Sequence, residues 1–241
     1  MSYTLTILTP TYNRAYILPQ LYESLLKQTE PDFIWMIVDD GSTDDAVENI
    51  LSNWNHVVEN GLMGISFLRG YSEKQVIGEK FPDDFLIENF NNMRYNRGIK
   101  GDKAEIVDSN ILKQTPFPSI PNEKFMSEGV VWKELSHKGK SLFINKIIYI
   151  TEYLEDGLTH SGRLLLIKNS LGAMLNAKLA MTNEFKMKLR IQNSLLYIAY
   201  GFFAKKKVRE IITESGQRRL VRVNLLFGWM IYIIWKIKYK L

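Results

Sequence analysis

Leu5-Thr6-Ile7-Leu8-Thr9-Pro10-Thr11-Tyr12-Asn13-Arg14 opens the chain, and Phe33-Ile34-Trp35-Met36-Ile37-Val38-Asp39-Asp40-Gly41-Ser42-Thr43-Asp44-Asp45 follows nineteen residues later. Leu5–Leu8 reads as a short buried strand and Thr9–Arg14 as a polar loop. From about Ala15 to Gln28, Leu18, Leu21, Tyr22, Leu25 and Leu26 recur at helical spacing. Phe33–Val38 is a second apolar run and ends in an acidic loop. Strand, loop, helix, strand and loop make a βαβ unit, whose two strands must run parallel. In such sheets ligands bind beyond the carboxyl ends of the strands. The loops Thr9–Arg14 and Asp39–Ser42 therefore face one another. Gly41 permits a tight turn, and Ser42 or Thr43 caps a helix from Ala46 to Trp54.

Thr9-Pro10-Thr11-Tyr12-Asn13-Arg14, Gln28-Thr29 and Val38-Asp39-Asp40-Gly41-Ser42-Thr43-Asp44 agree in order and spacing with one family. This stretch resembles the amino-terminal half of a family 2 glycosyltransferase of the GT-A fold. The resemblance implies an α/β chain with a mostly parallel, Rossmann-like sheet and carboxyl-terminal helices. It implies sugar transfer from a nucleotide-sugar, here a UDP-sugar, to a glycan acceptor in cell-surface polysaccharide synthesis. It also implies a divalent metal, Mg²⁺ or Mn²⁺. Pro10, Tyr12, Arg14, Asp39, Asp40 and Gly41 would then hold the nucleotide.

Relatives continue with further strands that end in paired acids holding the metal on the diphosphate, since hard cations need oxygen ligands. Here the chain passes from Trp54-Asn55-His56-Val57-Val58-Glu59-Asn60 into Met63-Gly64-Ile65-Ser66-Phe67-Leu68-Arg69-Gly70. That second segment resembles material lying beyond the metal motif, so a segment is expected to be missing near residues 53–62 and the sheet to be truncated. Phe81-Pro82-Asp83-Asp84 reads as a turn before a helix Phe85–Phe90, because Pro82 interrupts a central strand. Ala104–Val107 reads as a strand ending in Asp108-Ser109-Asn110. Asp108 is a metal-ligand candidate or a plain strand end. His56 and His137 sit in no ligand pattern. No metal ligands are assigned.

Phe125-Met126-Ser127-Glu128-Gly129-Val130-Val131-Trp132 stands where the family carries an acid at the start of a helix. By that resemblance Glu128 is the general base. Its alternative role, shared with Ser127, is to cap a helix Val130–His137. Ile144–Tyr153 alternates as a strand. Tyr153–Arg163 reads as a Gly-turn loop in which His160 and Arg163 are candidates to touch phosphate or acceptor.

No cysteine is present among 241 residues, so disulfides and thiolate metal sites are excluded. Met1-Ser2-Tyr3 enters the first strand without a basic leader, so no signal peptide is expected. Helices are expected over Asn169–Met181, Asn183–Phe203 and Val208–Ser215. Two regions follow: a transferase domain, 1–165, and a helical, basic region, 166–241. Lys186–Leu241 holds thirteen Lys and Arg against Glu210 and Glu214, although the whole chain is only +5. The terminal run Leu225–Leu241 is aromatic and then basic, is expected to be too short to span a bilayer, and suits an anionic membrane interface. A cytoplasmic chain, peripheral on the inner face of the cell membrane, is the expected location. A nucleic-acid partner is not expected, because the basic residues are interleaved with aliphatic runs. The alternative reading, given the missing acids, is a catalytically inactive remnant acting at the membrane surface as a binding or interaction protein.

Overall fold

The structure, a computed structural model, describes residues 5–11, 33–39, 45–150 and 162–240. Strands β1 (Leu5–Thr11) and β2 (Phe33–Asp39) pair in parallel, Leu5 opposite Phe33 and Thr11 opposite Asp39. This is the parallel pair that the βαβ pattern predicts. Both strands run further than expected: β1 takes in Thr9–Thr11, and β2 ends on Asp39. Helix α1 (Asp45–Glu59) follows and is five residues longer at its end than the expected Ala46–Trp54.

The second sheet is built on β3 (Gly64–Ser72). Residues Leu62–Leu68 are all buried, as an apolar run covered on both faces must be. β3 pairs in parallel with β7 (Ser141–Ile150) and antiparallel with β4 (Gln75–Val76) and β6 (Lys103–Val107); β5 (Leu86–Glu88) pairs antiparallel with β7. The sheet is therefore mixed, which corrects the mostly parallel expectation. β4 turns straight back on β3 through Glu73-Lys74, while β6 and β5 join the edges of β3 and β7 in the antiparallel sense, so β3 and β7 are the parallel pair of this sheet. Gly64 lets β6 approach, because a side chain there would run into the Ile106 carbonyl. The expected helix Phe85–Phe90 is also corrected. Phe85 takes a positive φ of 51°, and Asp84 accepts hydrogen bonds from the Phe85 and Asn145 N–H groups, turning the chain into β5.

Two hydrophobic layers cover this sheet. Ile65, Phe67, Leu142 and Ile148 pack beneath Val57 and Trp54 of α1. Leu68, Phe143 and Met63 pack on Phe90, Met93, Val131 and Leu135. The last two come from α3 (Gly129–Leu135), which follows the short helix α2 (Ser109–Lys113). The remainder is helical: α4 (Gly162–Lys168), α5 (Ser170–Leu179), α6 (Met187–Phe203), α7 (Val208–Glu214) and α8 (Arg218–Lys238). These helices share a third core around Met174, Tyr197, Ile198, Ile211 and Val221. The 21 residues of α8 correct the expectation of a terminal stretch too short to span. The helix begins at Arg218, before the apolar run, and by length and composition alone could cross a membrane.

Two lysines are buried in these cores, Lys103 at 1% and Lys133 at 4% exposure. Burial, aided at Lys103 by the nearby Arg94 charge, lowers both from the ordinary 10.5 to about 8. Between these values the unfolded chain holds protons that the folded chain has lost, so folding stability rises with pH across that window. Lys133→Met removes one of these groups. In urea titrations the stability of wild type relative to this variant should be constant below pH 8 and grow from pH 8 to 10.5. A constant difference throughout would mean that Lys133 keeps an unshifted charge in the folded chain.

Candidate active site

A cavity of about 650 Å³ opens on the α3 side of the second sheet. Arg69 of β3, Asp102, and Lys103 and Glu105 of β6 line one wall. Arg94 and Tyr95, from a π-helical turn at Asn92–Asn96, line another. Phe125–Gly129 and Trp132 close the cavity, with Leu165 of α4. The Phe90 and Trp132 rings stack, with centroids 5.1 Å apart. Strand pairing explains the sheet wall: Glu105 lies opposite Ser66 and Lys103 opposite Leu68, so alternation turns both to the face that α3 covers.

Glu128 sits at the start of α3, exposed, and makes no side-chain cap bond. Capping is therefore not its role, and the carboxylate is left to the cavity. Its backbone is held from several sides. Lys133, one turn on, donates its ammonium to the Gly129 carbonyl (3.1 Å), the Tyr95 hydroxyl (3.2 Å) and Asn176 Oδ1 (2.6 Å). All three ammonium protons thus have acceptors, as a buried cation requires. Asn176 Nδ2 in turn donates to Ser127 Oγ (3.4 Å). Gly129 leaves room for this network: a Cβ there would stand 3.2 Å from Lys133 Nζ, Asn176 Oδ1 and Tyr95 Oη alike and would press on all three. The preceding loop is tied to α5 by Glu123, which accepts from the Leu171 and Gly172 N–H groups, and by Asn169 Oδ1, which accepts from those of Lys124 and Phe125.

The electrostatics of the cavity centre on Glu105. Burial raises its carboxyl to about 7, against the opposing pull of Arg94 and Arg69. Neither guanidinium forms an ion pair within 4 Å among the described residues. Arg94 Nη1 donates to the Ile99 carbonyl (3.0 Å). Arg69 lies 4.7 Å over the Tyr149 ring, and its buried Nε has no hydrogen-bond partner among the described residues. The cavity thus combines two guanidinium groups, an aromatic wall and an uncapped carboxylate.

Of the residues expected to hold a nucleotide, Pro10 lies in β1 opposite Val38, and Asp39 ends β2 opposite Thr11. Tyr12, Arg14, Asp40 and Gly41 lie outside the described residues, as do the expected helix Ala15–Gln28 and His160. Asp108 is a helix cap, its carboxylate accepting from the N–H groups of Asn110 (2.8 Å) and Ile111 (3.2 Å). Arg163 does not face the cavity chemistry. It donates to the Tyr200 hydroxyl (2.7 Å) and lies 4.6 Å over the Trp235 ring, so it braces the helices. Among the described residues no three His, Cys, Asp or Glu side chains gather as a metal site. That donor set does not fit a divalent cation.

Sequence reasoning missed Arg69, Arg94, Tyr95, Glu105 and Trp132. Glu105 had a signal: Lys103-Ala104-Glu105-Ile106-Val107 puts charges at alternate positions of a strand, which marks a polar face. Arg94 and Tyr95 had none, because a π-helical turn has no sequence periodicity of its own.

Comparison with known proteins gives one result for the amino-terminal part. Residues 6–59 match the sequence model of the family described as Glycosyl transferase family 2, a family that generally uses a divalent metal. The match ends on Glu59, where α1 ends. Curated proteins offer no match to the chain. The match to 6–59 supports a family 2 glycosyltransferase domain and, with it, sugar transfer as the general chemistry.

Proposed function

We propose that the chain transfers a sugar from a UDP-sugar to a hydroxyl of a glycan acceptor, in the building of a cell-surface polysaccharide on the cytoplasmic face of the cell membrane. One observation carries this reading: a chain whose residues 6–59 match the family also presents Glu128, uncapped, in a cavity with an aromatic wall. The donor is held at the carboxyl ends of β1 and β2 by Pro10, Tyr12, Arg14, Asp39, Asp40 and Gly41. The acceptor sugar lies against Trp132, and its hydroxyl meets the Glu128 carboxylate.

The step is a single displacement. Glu128 takes the proton of the acceptor hydroxyl as its oxygen bonds to the anomeric carbon, and the bond to the diphosphate breaks with its electron pair. Charge grows on the departing diphosphate and must be met by fixed cations. Arg69 and Arg94 are the cavity groups suited to this. No step is drawn through a metal, because the described residues do not fit one. On this reading the metal-bearing segment of the family is lost near residues 53–62, where α1 now runs to Glu59 and a short turn leads into β3. Slow turnover is the consequence. The same donor set favours a second reading, in which the chain keeps nucleotide binding and has lost transfer.

Two experiments test these readings. Labelled UDP-sugars incubated with purified chain and oligosaccharide acceptors should give slow product, nearly independent of Mn²⁺. Glu128→Gln should reduce it by about a hundredfold or more, the usual scale for losing a general base. Metal-dependent turnover untouched by Glu128→Gln would refute the assignment, and binding without any transfer would select the second reading. Calorimetry of UDP addresses the donor half: Asp39→Ala should abolish most of the affinity, and equal affinity in both proteins would move the nucleotide elsewhere.

A further inference from the structure

We infer that the outer face of α8 is a monotopic membrane-docking surface, seated in one leaflet of an anionic bilayer, and that α8 does not cross it. This goes beyond the transfer chemistry and stands independently of it. Val223, Leu226, Phe227, Met230, Ile234 and Ile237 are all exposed, Val223 at 77% and Ile237 at 73%. Their spacing of three and four residues sets them in one stripe. Trp229, 44% exposed, flanks it. No charged residue occurs between Arg222 and Lys236. An apolar stripe of this length would be costly to leave in water, so something covers it.

The opposite face of α8 is committed to protein. Val221, Asn224 and Gly228 are buried, and a side chain at Gly228 would run into Ile198 of α6. Tyr232 packs on Phe202 and Phe203, and Trp235 on Tyr200 and Phe203. Arg190 of α6 donates to Gln217 at the other end (3.3 Å). The contacts thus run in step, so the two helices lie parallel and α6 flanks α8 along its length. A helix held this way has only one face for lipid. The charge-free segment is also short: thirteen residues rise about 20 Å, against a hydrocarbon core of about 30 Å. Lying flat, the same helix places its stripe at the head-group and acyl boundary.

Charge decides the occupant. Arg218, Arg219 and Arg222 precede the stripe, and Lys236, Lys238 and Lys240 follow it. α8 contains no acidic residue. The two acids nearby are both engaged: Glu214 pairs with Lys206 at 2.7 Å, and Glu210 accepts the Lys207 N–H. A second copy laid on this stripe would set cations against cations in either direction, whereas anionic lipid complements both ends.

The test uses the full chain and vesicles of phosphatidylcholine alone or with one-third phosphatidylglycerol. Wild type should sediment with the anionic vesicles, and salt should weaken this only in part. Leu226→Glu with Met230→Glu, both outward-facing, should weaken binding about tenfold or more. Arg218→Gln, Arg219→Gln and Arg222→Gln together should reduce binding and its salt dependence. Lipids brominated near the glycerol should quench tryptophan fluorescence more than lipids brominated near the chain ends, and Trp229→Phe should lessen the effect. Equal binding by the double glutamate variant would overturn the proposal. Stronger quenching from the chain ends would instead mean a spanning helix. A vesicle-independent dimer dissolved by the two glutamates would assign the stripe to a second copy.

Discussion

β3 is the constraint on which the rest depends. It has partners along both edges over most of its length, β7 on one side and β4 and β6 on the other. Its residues pack into both covering layers. Pairing with β6 fixes Lys103 and Glu105 on the cavity side, and pairing with β7 fixes the Tyr149 ring under Arg69. Gly64 sets the distance to β6. Moving β6 by one residue would turn Glu105 and Lys103 into the hydrophobic layer of Ile65, Phe67, Leu142 and Ile148 beneath α1.

The helical third is more than an appendage. Glu123 and Asn169 tie the loop before Glu128 to the start of α5, and Asn176 of α5 receives the Lys133 ammonium. The position of Glu128 is thus set by contacts from α3, the π-helical turn and α5 together. α5 packs in the same core as α6 and α8, so one body carries both the cavity wall and the outward apolar stripe. Burying Lys133 without a carboxylate is costly unless every proton is satisfied, and here each one is.

Legibility in the sequence followed periodicity. The β1–β2 parallel pair, β6, most of β7 and the long helices could be read because alternation and 3.6-residue spacing leave their mark on residue order; β3 was not read as a strand, since its apolar run does not alternate. The mixed character of the second sheet could not be read, since β4 and β5 are two and three residues long and follow turns at Glu73-Lys74 and Phe85. The helix expected to stop at Trp54 runs on to Glu59, where the family match also ends. Glu128 was found by resemblance and stands in a cavity. Its supports, Lys133 and Asn176, are 43 residues apart and became neighbours only through packing. Arg163 read as a candidate for phosphate or acceptor because its loop resembles one near the family's active site; the Tyr200 hydroxyl and the Trp235 ring claim it instead.

The central claim is that Glu128 activates an acceptor hydroxyl for a single displacement at the sugar. The configuration of the new linkage tests this directly. Product from an α-linked UDP-sugar, accumulated over a long incubation and analysed by proton NMR at the anomeric position, should be β-linked. An α-linked product would require two displacements or a front-side path and would contradict the account.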